Sequence, residues 1–284
     1  MRQAARTLGQ YAALIKSLQT ALLLITGLAG YMSARCPVTH WTTVVGLLGS
    51  LFLAVSGSTI LNMCYDRDID SVMNRTHHRP IASGKVRPEH AARIGLLFAA
   101  TGVGWAIAMD PLYGGVVFAG LFFDVVVYTL WLKRRTCWSV VWGGISGGMP
   151  ILAGRVLGLG EIDLIGVLLA VSVLCWIPTH MLTFSLRYAA DYAAARIPTF
   201  PSTYGATITR RAIAAASVLA TLAIGLAAVL IQVQGSYLHV LGVLSGALMF
   251  LAFWAALRPA DRLNFSLFKY ASLYMLSAML LLSI

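Results

Sequence analysis

Charged residues are scarce in this sequence, and their scarcity decides its class. Asp, Glu, Lys and Arg make up 11% of the 284 residues, less than half of the roughly 25% found in soluble domains. Most of the surface therefore cannot face water. With 59% hydrophobic residues and a mean hydropathy of +0.80, the chain is integral to a membrane. The same deficit excludes a disordered protein and a DNA-binding domain. Cysteine is scarce as well. The four are Cys36, Cys64, Cys137 and Cys175, with no CxxC pair among them, which excludes a disulfide scaffold or a thiolate metal framework. Alternating ten-residue strands are also missing, so a β-barrel is ruled out.

What is present is a series of long apolar runs, at 12–33, 43–64, 91–109, 111–132, 139–158, 164–182, 212–232, 237–257 and 264–284. Each is close to the ~20 residues a membrane-crossing helix needs. Asp110-Pro111 and Gly158-Leu159-Gly160 supply tight turns between them. The expectation is an all-α membrane protein of nine transmembrane helices forming one domain over 1–284. Arg2 and Arg6 precede the first run as they would in a cleaved signal. However, Lys16, Ser17, Gln19 and Thr20 interrupt that run and Arg35 spoils the cleavage region, so the reading is a retained helix.

The net charge of +11 points to topology rather than to nucleic acid. On nine spans, Arg2, Arg6 and Lys16 share one side with the basic residues between spans 2 and 3, after span 4, between spans 6 and 7, and between spans 8 and 9. Only Arg35 and Arg155 fall opposite. The positive-inside rule then makes the N-terminus cytoplasmic and Ile284 external, in an inner (plasma) membrane. The two long connections, Cys64 to Arg93 and Leu186 to Arg211, both lie on the cytoplasmic side.

The second run ends in Leu61-Asn62-Met63-Cys64-Tyr65-Asp66-Arg67-Asp68-Ile69-Asp70. If the helix continues, Asn62, Asp66 and Asp70 recur every four residues and share one face. Stacked carboxylates at a membrane boundary repel one another unless a cation joins them. Hard oxygen donors of this kind suit Mg²⁺, which also takes substrate phosphates as ligands. The alternative is a solvated helix end whose acids pair with Arg67, Arg75 and Arg79. Further cations follow at Lys85 and Arg87, and the other long connection offers Arg187, Tyr188 and Asp191. Acids that hold a metal beside cations that fork onto phosphate describe a diphosphate site. Above an apolar bundle, that points to a lipid diphosphate.

These residues carry a family resemblance. Asn62-x-x-x-Asp66-x-x-x-Asp70 with Met73-x-Arg75-Thr76-x-x-Arg79-Pro80 and Ser83-Gly84-Lys85-Val86 resembles the UbiA-type intramembrane prenyltransferases. Within them it is most similar to the protohaem IX farnesyltransferases (haem O synthases). The likeness extends through Tyr128-Thr129-x-x-Leu132-Lys133-Arg134-Arg135-Thr136, Gly143-Gly144-x-x-Gly147-x-x-Pro150, Pro178-x-His180 and Asp191-Tyr192-x-x-Ala195-x-Ile197-Pro198. The first helix departs from it, with Lys16-Ser17-Leu18 where such enzymes commonly have Lys-Pro-Arg.

The resemblance implies Mg²⁺ held by Asn62, Asp66, Asp70 and Asp191. It implies diphosphate contacts from Lys16, Arg75, Arg79, Lys133, Arg134 and Arg187, and acceptor contacts from His180 and Tyr188. The implied substrates are farnesyl diphosphate and haem B, with membrane lipid around the bundle. The implied reaction ionises the allylic C–O bond, lets a haem vinyl group attack the allyl cation, and quenches the product cation with water. Asp124 is covered by no family motif. As an acid inside span 4 it is either functional or a structural hydrogen-bonding group. Two other readings stay open: a UbiA-type transferase acting on a quinone precursor or another lipid acceptor, and a transporter of an anionic lipid or metabolite.

Overall fold

In a computed structural model, which describes residues 9–35, 40–258 and 260–283, the chain is a helical membrane bundle without strands among those residues. Arg2, Arg6, Cys36 and Ile284, used in the sequence reading, lie outside the described residues. A short 3₁₀ turn, Ala13–Ile15, precedes α1 (Ser17–Ser33). Next come α2 (Trp41–Tyr65), the short α3 (Arg67–Val72), α4 (Pro88–Met109) and α5 (Pro111–Phe122). The last of these continues as a π-helix over Phe123–Leu132. The chain then forms α6 (Ser139–Leu159), α7 (Leu164–Arg187), the short α8 (Ala189–Ala194), α9 (Phe200–Ile231), α10 (Gly235–Leu257) and α11 (Asp261–Leu282).

Eight of these helical segments are long and apolar enough to cross a membrane. Gly9–Ile15 with α1, bent by 45° at Lys16, makes a ninth if the pair is one span. Large apolar side chains such as Leu96, Leu97, Phe118, Phe250 and Phe253 remain exposed. In a lipid-embedded bundle that is the expected exterior.

The helix ends follow their local chemistry. Asp110 ends α4 and caps α5, its carboxylate accepting from the Tyr113 N–H at 2.7 Å, and Pro111 opens α5. The helix α9 begins at Phe200 rather than near 212, twelve residues before its apolar run. Thr199 and Ser202 form a reciprocal cap there, Pro201 sits in the first turn, and the helix kinks at Gly205, whose φ is +82°. Hydropathy placed this start late because Arg210 and Arg211 interrupt the apolar pattern.

Helix–helix approach is set by small residues, as expected where lipid removes the hydrophobic drive between helices. Between α2 and α4, a Cβ on Gly57 would lie 2.5 Å from the backbone N of Ala99. One on Gly102 would lie 2.4 Å from that of Ala54. Only hydrogen fits at either position.

One buried cation is explained by the fold alone. Arg155 on α6 forms a paired contact with Asp163 (2.8 and 2.7 Å) and donates to the carbonyl of Ser33 at 2.6 Å. Asp163 in turn caps α7 through the Gly166 N–H. Arg35 donates to the carbonyl of Gln232 at 3.3 Å. These contacts gather the ends of α1, α6 and α9 at one end of the bundle and account for the only two cations that sequence placed on that side.

Candidate active site

At the other end, α2 meets α3, and the two long connections converge. A cavity of about 600 Å³ opens there and runs into the bundle, within the range of sites for small organic ligands. Its inner wall is apolar and small, with Leu51, Ala54, Val117, Gly147, Pro150 and Val173 among its lining residues. Its outer wall brings Lys16, Arg75, Arg79 and Lys133 together with Asn62, Asp66 and Asp70. One end suits a charged head and the rest suits a hydrocarbon.

The sequence expected one continuous helix through Asn62, Asp66 and Asp70. Instead the helix breaks at Asp66 (φ −86°, ψ 7°), which ends α2 and starts α3. The break is shallow. The Asp66 N–H still donates to the carbonyl of Asn62 at 2.9 Å, and the Asp70 N–H to that of Asp66 at 2.8 Å, so all three side chains line the cavity.

Two of the three acids have basic partners. Asp66 is buried and ion-paired with Lys133, the first residue after the π-helix, while its Oδ1 is buried with no hydrogen-bond partner. Asp70 is also buried, and one Arg79 guanidinium nitrogen donates to both of its oxygens at 2.8 and 2.7 Å. Asp191 on α8 joins the two long connections. Its Oδ1 accepts from the Asn74 side-chain amide and its Oδ2 from the Arg75 backbone N–H, both at 3.1 Å. These pairings match the alternative in which acids pair with local arginines, though only for Arg79. Among the described residues no three His, Cys, Asp or Glu side chains converge as a ready metal cluster.

The cations divide into two groups. Lys16, at the bend before α1, has a left-handed backbone (φ 48°) and faces the cavity, as do Arg75, Arg79 and Lys133. Arg75 spans two roles, with its guanidinium over the rings of Phe184 and Tyr188 (5.8 and 5.4 Å) and its Nε buried without a partner. Arg134 and Arg187 do not line the cavity. Arg134 holds Asp68 through two 2.7 Å hydrogen bonds and covers the Tyr65 ring. The Arg134 guanidinium keeps the exposed Asp68 carboxyl below the usual carboxylate range. Arg187 lies over Tyr188 and Phe265.

His180 lies on α7 two residues past Pro178 and faces the cavity. Its ring sits among Trp176, Phe184 and Phe268 (centroids 4.9–5.2 Å away), and its Nδ1 is buried without a partner. Tyr188 does not line the cavity but stacks on Phe184, which does. Sequence reasoning singled out neither Trp176 nor Phe184 as a cavity residue. Their spacing from His180, four residues either way, was the available signal. His77 is a turn residue whose Nδ1 meets the Asn74 carbonyl at 2.8 Å.

Residues 23–276 match the model of the UbiA prenyltransferase family. The chain belongs to the UbiA prenyltransferase family. Among its relatives is a protoheme IX farnesyltransferase of Desulforudis audaxviator, 35% identical over 93% of this chain and 84% of that protein. Another, of Korarchaeum cryptofilum, is 38% identical over 72% of this chain and 69% of the relative. The fold agrees with solved structures. A digeranylgeranylglyceryl phosphate synthase aligns over 98% of both chains with a TM-score of 0.82 at 17% identity. A UbiA homologue from Archaeoglobus fulgidus, bound to GPP and Mg²⁺, aligns over 97% of this chain and all of its own, with a TM-score of 0.68 at 13% identity. The chain is an intramembrane prenyltransferase.

Proposed function

We propose that this prenyltransferase transfers the farnesyl group of farnesyl diphosphate to a vinyl group of haem B, yielding haem O and diphosphate, with the whole chain acting as one catalytic unit. The names carried by its relatives support the acceptor and donor. The observation that carries the reading is the polarity of this cavity, with four cations and three hard-oxygen side chains at one end and hydrocarbon beyond.

The donor site fits a hard divalent cation by its chemistry. Asn62, Asp66 and Asp70 offer oxygens on one wall, and the unpartnered Asp66 Oδ1 is a buried acceptor in want of a positive ligand. Asp191 does not line the cavity, its two oxygens being held by Asn74 and the Arg75 N–H. Asn62, Asp66 and Asp70 would hold Mg²⁺ bound to the diphosphate, and Asp191 would join them by giving up its bonds to Asn74 and the Arg75 N–H. The bound ion supplies charge stabilisation to the departing diphosphate.

The chain's own residues do the rest. Lys133 and Arg79 neutralise Asp66 and Asp70, and with Lys16 and Arg75 they are positioned to turn toward phosphate oxygens. That places positive charge where negative charge grows as the allylic C–O bond breaks. The apolar wall excludes water from the resulting cation. Electrons of the haem vinyl group then close the new C–C bond, and water adds to the cation left on the haem side chain, releasing a proton. His180, with its free Nδ1 in an aromatic surround, is assigned to the acceptor, with Tyr188 supporting that wall through Phe184. Arg134 and Arg187 act on the rim.

We place the polar end of the cavity on the cytoplasmic side of the plasma membrane, a reading the positive-inside distribution supports as to side. The test is direct: purified protein with Mg²⁺, haem B and labelled prenyl diphosphates of several lengths, with products identified by mass. Haem O formed from farnesyl diphosphate is expected. A prenylated quinone precursor formed from an added aromatic acceptor, with haem B untouched, would overturn the acceptor assignment.

A further inference from the structure

The fourth long apolar segment of the bundle changes its winding where it reaches the donor site. Phe123–Leu132 is a π-helix, and its last turn is closed by the Lys133 N–H on the carbonyl of Tyr128 at 2.8 Å. In an α-helix, residues five apart point about 140° away from one another. In i→i+5 winding they come onto one face, and such stretches are frequent at functional sites. Asp124 and Thr129 are five apart, and both reach Asn62.

They reach opposite ends of its amide. The Asn62 Nδ2 donates to Asp124 Oδ2 at 2.7 Å. Thr129 Oγ1 lies 2.8 Å from Asn62 Oδ1 and 2.9 Å from the Asp124 carbonyl, sharing one proton between them. Ser58, one turn before Asn62 on α2, donates to the same Asp124 oxygen. A flipped Asn62 would set its carbonyl oxygen against the Asp124 carboxylate oxygen and would lose the hydrogen bond that its Oδ1 accepts from Thr129. One orientation is therefore selected, with a second lone pair of Oδ1 left over.

We infer that Asp124 and Thr129, brought to one face by the π-helix, form a two-point clamp that fixes the Asn62 amide so that its oxygen is presented to the metal–diphosphate complex. Asp124 is thus a positioning residue, and its place in an apolar span has a purpose beyond packing. The inference rests on the donor-site reading above. Groups that orient a metal ligand typically change metal affinity 10–100-fold when removed. The clamp predicts that scale for a side chain that makes no metal contact of its own.

The test measures binding of a non-hydrolysable farnesyl diphosphate analogue to detergent-solubilised protein as Mg²⁺ is titrated, with Mg²⁺-free melting recorded in parallel. Asp124→Asn keeps the shape but removes the charge that selects one amide orientation. It should raise the half-saturating Mg²⁺ about tenfold or more. Thr129→Val should act in the same direction and Thr129→Ser should restore wild-type behaviour, which keeps the clamp testable if Asp124→Asn folds poorly. Asn62→Ala should raise the requirement at least as far as Asp124→Asn.

Unchanged half-saturation in both Asp124→Asn and Thr129→Val would overturn the clamp. So would a larger shift in Asp124→Asn than in Asn62→Ala, because the carboxylate would then be acting by another route. Wild-type binding that is indifferent to Mg²⁺ would instead remove the donor-site reading, and the clamp with it.

Discussion

Asp66 and Lys133 are ion-paired across the cavity although 67 residues separate them in the chain, and the pairing leaves one carboxylate oxygen of Asp66 buried and bare. A single basic residue thus balances the charge of the acid without satisfying it. An unpaired buried acceptor is costly, a cost that the proposed metal would relieve.

The metal follows from this. EDTA should abolish turnover and added Mg²⁺ should restore it. Asp66→Ala and Asp70→Ala should each lose at least ~100-fold in rate, the scale of removing one preorganised electrostatic contact from a transition state. Both variants should still insert, as judged by their yield in the membrane fraction. Full activity in both would remove these residues from the donor site.

Donor and acceptor ends should separate by mutation. His180→Ala is expected to weaken haem binding or product formation and leave the affinity for a prenyl diphosphate analogue within a few-fold of wild type. Asp191→Ala should do the reverse, because its carboxylate ties together the two connections proposed to bind the diphosphate. Titrating each variant with haem and with the analogue separately decides it. Loss of analogue binding with intact haem binding in His180→Ala would reverse the division of the cavity.

Topology gives a further check. Single cysteines near Asn74 and Ala194 should react with an impermeant reagent only from the cytoplasmic side, and cysteines near Gly235 and the C-terminus only from outside. The Asp191 contacts to Asn74 and Arg75 require the two long connections to label from the same face.

At the far end of the bundle, Arg155→Ala should affect stability rather than the chemistry. It deletes the hydrogen bonds to Asp163 and Ser33, a loss of about 2–3 kcal/mol on the scale of bonds to charged groups. Thermal melting should fall while the KM for the prenyl diphosphate stays near wild type. An altered KM at unchanged melting temperature would contradict a purely architectural role.

That Asn62, Asp66 and Asp70 share one wall was legible in the sequence because their spacing is local. Asn62, Asp66 and Asp70 sit at four-residue intervals, and a shallow break at Asp66 does not move them off the wall. What the sequence could not show was direction. Lys133 and Arg134 are neighbours, yet one faces the cavity and the other reaches outside it to Asp68. Charge patterning reports the side of the membrane, not the bearing of each side chain. The π-helix was hidden for the same reason, since Phe123–Leu132 reads simply as part of an apolar run. Asp124 stood out as an intramembrane acid, but its partners come from α2, more than sixty residues earlier.

The fit of Gly57 and Gly102 between α2 and α4 reaches further than packing. Gly57 lies five residues before Asn62 on the same helix, so the backbone contact with Ala99 acts as the fulcrum of a short rigid lever whose tip is the donor site. A methyl group added there would lengthen the fulcrum and displace the tip as a unit, moving the amide and both carboxylates together against the lysine and arginines that face them. The position of the proposed donor-site residues is therefore tied to the smallest side chains in the bundle, which do not themselves line the cavity.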